Sequence, residues 1–191
     1  MSWTIDSAHS RVGFAIKHMM ISTVRGEFTQ FEGEIALDEQ DPTRSTATGR
    51  VTVASIDTGN ADRDNHLRSG DFFDTATHPT ITFQSRRIEP LGGGRFRVTG
   101  DLTMHGVTKE LPLEAELSPP ARDPWGNMRR GVSLTDSLNR KDFGLTWNQA
   151  LETGGVLVDE KVKLEVELEI VQAAPEEARK LAEAESTSAS R

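Results

Sequence analysis

The sequence predicts an all-β domain closed as an antiparallel barrel, and three observations carry that prediction. The first is the segment EKVKLEVELEIV, where Val162, Leu164, Val166, Leu168 and Ile170 share one parity. Lys161, Lys163, Glu165, Glu167 and Glu169 occupy the other. Strict period-2 alternation marks an antiparallel strand with one buried and one wet face. The second is recurrence of the pattern between turn-forming stretches: EQDPTRS, PLGGGR, HGVTK, SPPARDPWGN and ETGG. The third is a change of phase, because Val24, Gly26 and Phe28 are even while Phe31, Gly33, Ile35 and Leu37 are odd. One extra residue near Thr29-Gln30, a β-bulge, restores the register and bends the strand. A bent strand of about 14 residues suits a barrel better than a sandwich.

Along the chain, Val12, Phe14 and Ile16 make the first alternating strand and the phase-shifted run through Leu37 the second. Val51 and Val53 begin a third, Ile81 and Phe83 a fourth. Phe96, Val98, Leu102 and Met104 come next, then Leu111, Leu113, Ala115 and Leu117. Residues 162–170 close the series, roughly eight strands in all. Almost no helix is expected outside NADRDNHLRSGDFFDTATHP, residues 60–79. There Asn60 can cap, Asp62 and Asp64 suit the positive first turn, Arg68 suits the last turn and Gly70 can stop it. Phe72-Phe73 would anchor this short helix over one end of the barrel. Residues 173–191, rich in Ala, Glu and Ser, read as a disordered or frayed helical tail, leaving 1–172 as the domain.

Composition narrows the function classes. With 191 residues, 35% hydrophobic and 27% charged, the chain can bury one real core. A net charge of −8 without any basic run excludes a nucleic-acid surface. No stretch approaches the ~20 apolar residues of a transmembrane helix. Without cysteine there is no disulfide, thiolate metal site or cysteine nucleophile. The opening MSWTIDSAHS has neither a basic n-region nor an apolar h-region, so a cytoplasmic location is expected.

Catalytic motifs are scarce. His9, His18, His66, His78 and His105 form neither His-Glu-x-x-His nor His-x-His, so no resident metal is expected. A site assembled from distant histidines with Asp64 or Asp71 is the alternative. There is no Gly-x-Ser-x-Gly elbow, and GGGR lacks the Lys-Ser/Thr of a phosphate loop. Nothing singles out a carboxylate pair for acid/base work. The expectation is a protein that is not an enzyme and needs no cofactor. His18 lies on the apolar parity of the first strand, either as a hydrogen-bonded core histidine or as a polar group orienting a ligand in a cavity.

Several segments then acquire a common meaning. IDSAHSRVGFAIKHM, GEFTQFEGEI, RDNHLRSGDFFDTATHPTITF, GDLTMHGVTKELPL and DFGLTWNQALETGGVLVDEKVKLEVELE together resemble the YceI-like family of polyisoprenoid-binding, lipocalin-like proteins. The resemblance implies an extended eight-stranded antiparallel barrel with a helix between two strands. It also implies a long apolar pocket, which in relatives holds polyisoprenoid or other long-chain lipids. Many relatives carry an export signal, which the N-terminus here does not show.

In that frame the expected ligand-binding residues are Phe14, Ile16, His18, Phe28, Phe31, Phe72, Phe83, Leu102, Met104, Phe143 and Trp147. Gly26, Gly49 and Gly100 are expected to leave space beside them. Arg63, Asp64, Arg68 and Asp71 would satisfy helix ends and loop backbone in a cap over the barrel, with His66 and His78 tying it to the rim. The expected partner is a long-chain isoprenoid or acyl lipid, carried or sequestered; a homodimer is compatible with this. The alternatives are an enzyme, metal-assisted or not, acting on an apolar substrate in the same cavity, and a filled barrel serving as an interaction scaffold.

Overall fold

Alternation along the chain becomes pairing around a ring. The computed structural model describes residues 2–172. Its strands are β1 (Ser2–Ile5), β2 (Arg11–His18), β3 (Ser22–Phe28), β4 (Phe31–Ala36), β5 (Thr46–Thr52) and β6 (Ile56–Asp57). After helix α1 (Ala61–Arg68) come β7 (Thr80–Gly92), β8 (Arg95–Met104), β9 (Val107–Leu117), β10 (Ala121–Arg122), β11 (Met128–Asn139) and β12 (Val158–Gln172). Hydrogen bonding runs β11–β9–β8–β7–β5–β4–β1–β12, and β12 returns to β11 along its length. The result is a closed eight-stranded antiparallel barrel, as the alternation predicts. The tail expected over 173–191 lies outside the described residues.

Three of the eight positions are held by broken strands, β1 with β2, β3 with β4, and β5 with β6. β12 pairs with β1 at Ile170 and Val171, then with β2 from Glu167 back to Val158. The joint between β1 and β2 is the 3₁₀ turn Ser7–His9, where the Asp6 side chain accepts from the Ala8 N–H. β3 follows β2, whereas β4 pairs with β1 and β5. The expected bulge is therefore a sharper event, in which the strand stops at Phe28 and restarts at Phe31 with new neighbours. Backbone groups freed at the break find partners across it. Thr29 N–H donates to Ser55 O at 3.2 Å, Gln30 N–H to Ser55 Oγ at 3.0 Å, and Thr52 N–H to Gln30 O at 2.9 Å. Phe28 and Phe31 both face the interior, which is what the phase change requires.

Other departures are local. Val53, expected on a strand, sits in the 3₁₀ turn Val53–Ser55 and is fully buried. β11 carries Val132, Leu134 and Leu138, an apolar series broken by Asp136. The turn between β7 and β8 needs its glycines, since Gly92, Gly93 and Gly94 have φ of +86°, +63° and +79°.

α1 forms where its capping residues place it. Asn60 accepts from the Arg63 N–H at 3.0 Å, and the helix ends as Ser69 N–H bonds His66 O at 3.1 Å. Ala61 and Leu67 are its only apolar residues, so side-chain hydrogen bonds to backbone hold it more than an apolar stripe does. Behind it, Phe73 packs against both buried clusters at this end of the barrel. One is Phe28, Val53 and Ile56; the other is Met104, Phe143 and Leu145.

Candidate functional site

Eight strands close around an interior just wide enough for side chains or one slender ligand. Here a cavity of about 1030 Å³ remains, at the upper end of the ~300–1,000 Å³ range of small-molecule sites. Alternate residues of the barrel strands form its wall. β12 supplies Val158, Val162, Leu164, Val166 and Leu168, which at ~3.3 Å per residue extend on the order of 30 Å along the strand. β7 keeps contributing after Phe83 because its pairing with β8 slips between Ser85 and Arg87, which moves the inward parity to Ile88.

Most of the sequence-predicted lining residues meet at this wall. Phe14, Ile16 and His18 come from β2, Phe28 from β3, Phe31 from β4, Phe83 from β7, and Leu102 and Met104 from β8. Phe72 and Trp147 reach it from the loops, their rings 5.2 Å apart. Phe143 does not. The 3₁₀ turn Arg140–Phe143 breaks the period of two, and Phe143 is buried beside Met104 while Leu145 takes the wall position. The glycines divide as well. A Cβ on Gly26 would stand 2.5 Å from the Phe14 ring, and one on Gly100 2.5 Å from the Phe83 ring. These two make room for a cross-strand aromatic rather than for a ligand. Gly49 lines the cavity, and its nearest neighbour to an added Cβ is Glu32 O at 4.0 Å.

The wall is apolar along the barrel and polar at its ends. At one end stand Asp38, Glu39, Ser45 and Arg130, with Arg130 Nε donating to Ser118 O at 2.8 Å. At the other stand Arg63 and His66 of α1, His18 and Arg140. Arg140 is only 3% exposed. It donates to Asp159 O at 2.8 Å, Leu145 O at 2.6 Å and Val158 O at 3.4 Å. Burial pushes its guanidinium below the usual arginine value, against the pull of Glu160 and Asp159. Asn148 bonds both backbone groups of Val158, so the segment bearing Leu145 and Trp147 is pinned to the start of β12.

The polar side chains of the cap bond mainly to backbone and to one another. Asp64 accepts from Thr58 N–H at 3.0 Å and from Thr58 Oγ at 2.5 Å. Arg63 donates to Thr58 Oγ1 and O, and Arg68 to Ala54 O and Ile56 O. His66 lies 2.8 Å from Asp71 and edge-on to both Phe72 and Trp147. His78 packs edge-on against His105 of the β8–β9 turn, with ring centroids 4.6 Å apart.

Potential metal ligands converge elsewhere, where Asp6, His9 and Glu169 place donor atoms within 4.8 Å of one another. The Arg129 guanidinium already bridges both carboxylates and also bonds Asp123 at 2.9 Å. It serves as their cation, and the cluster ties β1, β11 and β12 together. Desolvation acts to raise Asp123, yet hydrogen bonds from Arg129, Asn127 and Trp125 prevail and bring it down to about 2.

Comparison with known proteins gives one consistent family. The YceI-like domain matches this chain over residues 3–170. A UPF0312 protein of Staphylococcus aureus (strain N315) is 40% identical over 169 residues, 88% of this chain and 96% of that protein. The Campylobacter jejuni YCEI protein has a crystal structure similar at a TM-score of 0.72 and 32% identity, over 89% of this chain and 97% of that one. Burkholderia cenocepacia BcnA shares the fold at a TM-score of 0.77 with 24% identity, over 86% and 98%. A polyisoprenoid binding domain from Saccharophagus degradans shares it at 0.65 with 16% identity, over 91% and 98%.

Proposed function

The chain belongs to the YceI-like domain family, and from that premise we propose that it binds a long, mostly apolar ligand, isoprenoid or acyl, along the inside of its barrel and carries or sequesters it. The observation that carries this reading is the predominantly apolar wall of the 1030 Å³ cavity, with its arginines and histidines gathered toward the two ends. Such a wall selects for length and slenderness. Each buried methylene contributes roughly 0.8 kcal/mol, so ten give about 8 kcal/mol before association costs, and every further methylene adds to this without any polar contact. Arg63, His66, His18 and Arg140 would face a polar end of the ligand at one mouth, and Arg130 at the other. The polyisoprenoid binding domain from Saccharophagus degradans, which shares the fold, is consistent with a ligand of this kind.

No catalytic step belongs to the proposal. Organic extraction of the purified protein followed by mass spectrometry should recover an unmodified long-chain lipid; a filled scaffold yields none. Phe83→Arg supplies the companion test, because an unpaired charge in the wall is costly to bury. The variant should lose titratable binding of cis-parinaric acid, and a folded Phe83→Arg protein that binds like the parent rules the cavity out.

A further inference from the structure

The turn between β2 and β3 is built from residues that neither the fold nor solvent favours. Ile21 N–H bonds His18 O at 3.1 Å, closing a turn around Met19 and Met20, whose φ angles are +53° and +59°. That left-handed region is where hairpins place Asn-Gly or Gly-Gly, because a Cβ crowds the following carbonyl. The β8–β9 turn places the polar His105 and Gly106 there, at φ +52° and +74°, and the β7–β8 turn uses three glycines. Here two long apolar side chains take the strained positions and are then left outside: Met19 is 40% exposed, Met20 68% and Ile21 80%. Val156 of the neighbouring loop adds a fourth apolar side chain, 38% exposed. The two loops are joined, as Met19 N–H bonds Leu157 O at 2.8 Å.

This tip begins where the cavity lining ends. His18 on β2 and Leu157 and Val158 at the head of β12 all line the cavity, and the exposed residues directly adjoin them. We propose that the Met19-Met20-Ile21 turn, with Val156, inserts into the surface of a neutral lipid bilayer and sets the cavity mouth against it. A second copy of the chain fits less well. A stable dimer needs about 800 Å² from each partner, whereas four side chains on two adjoining loops present a patch on the order of a few hundred Å². Flexible methionines and an isoleucine enter a fluid apolar phase without needing a complementary surface. The net charge of −8 disfavours an anionic membrane and selects a zwitterionic one. The attachment stands on the turn itself; only its purpose, transfer of a chain between bilayer and barrel, rests on the carrier reading.

The test uses the full chain and the variant Met19→Asn/Met20→Gly/Ile21→Ser, which supplies the turn chemistry the backbone asks for while removing the apolar tip. Co-sedimentation with phosphatidylcholine vesicles should show partitioning of the parent and a loss of at least tenfold in the variant. The variant should melt at the same or a higher temperature and bind cis-parinaric acid within twofold of the parent. Equal partitioning of the two proteins, no partitioning of the parent, or partitioning only onto phosphatidylglycerol vesicles each overturns the proposal. So does a parent dimer in sedimentation velocity that the variant converts to monomer, which would make the tip a subunit contact. If neither protein binds the fatty acid while the vesicle difference persists, the carrier reading fails and the docking surface stands.

Discussion

Gly49→Leu separates occupancy of the cavity from integrity of the barrel. Gly49 sits on β5 opposite Gly33 of β4 and Phe83 of β7, it lines the cavity, and an added Cβ would have its nearest neighbour 4.0 Å away. Its φ is not positive, so an L-residue fits the backbone. Replacing a strand glycine removes a conformational penalty of roughly 0.5–1 kcal/mol, so stability should hold or rise. The leucine side chain, four carbons, then occupies the path of the ligand. Displacing about four methylenes of contact at ~0.8 kcal/mol each costs about 3 kcal/mol of binding, a rise in Kd of roughly 200-fold. Titration with cis-parinaric acid measures the affinity, and a urea midpoint measures the fold. A variant as stable as the parent that binds with unchanged Kd would show that the ligand does not pass Gly49, and the cavity assignment would fall with it.

Three further outcomes test other parts of the structure. Gly100→Ala drives a methyl to 2.5 Å from the Phe83 ring and 2.6 Å from Gln84 O; it should destabilise by about 1–3 kcal/mol in urea unfolding through overpacking. Asp64→Ala strips the Thr58 N–H and hydroxyl of their acceptor under the cap, and should cost about 1–3 kcal/mol in the same assay. Asp123 has its folded pKa lowered to about 2, below the unfolded value near 3.9. Its contribution is therefore fully present above pH ~4 and lost as the pH falls through ~2. The difference in urea midpoint between parent and Asp123→Asn should be full at neutral pH and close toward zero near pH 2; a constant gap refutes the assignment.

The barrel could be read from the chain because period 2 survives in any strand with one dry and one wet face. Residues 161–170 show it in its purest form, and the helix was legible because Asn60, Asp64 and Arg68 stand at their capping positions. The break at Thr29-Gln30 was visible as a change of parity, but pairing partners are a long-range property. Nothing local says that β3 stays with β2 while β4 moves to β1. At the site, parity places the residues of regular strands on the cavity face. Phe143 escapes that rule because a 3₁₀ turn abolishes it, and Gly26 and Gly100 because a glycine gap is invisible until the cross-strand ring that fills it is known. Leu134 and Leu138 line the cavity without a clear alternating signal, their series interrupted by Asp136. Arg140 carried no sequence signal either, as its partners are all backbone carbonyls.

The threefold attachment of β12, to β1, β2 and β11, also fixes when the interior becomes enclosed. Thr4 meets Val171 across a sequence separation of 167, so the ring is an open gutter until the final strand is made. Contacts of such range close slowly, because chain entropy is lost before pairing compensates. During that interval β11 and β2 present unpaired edges, and the apolar wall faces water. A chain interrupted between Asn139 and Val158 would keep both edges and the exposed wall, and should aggregate rather than settle as a smaller barrel.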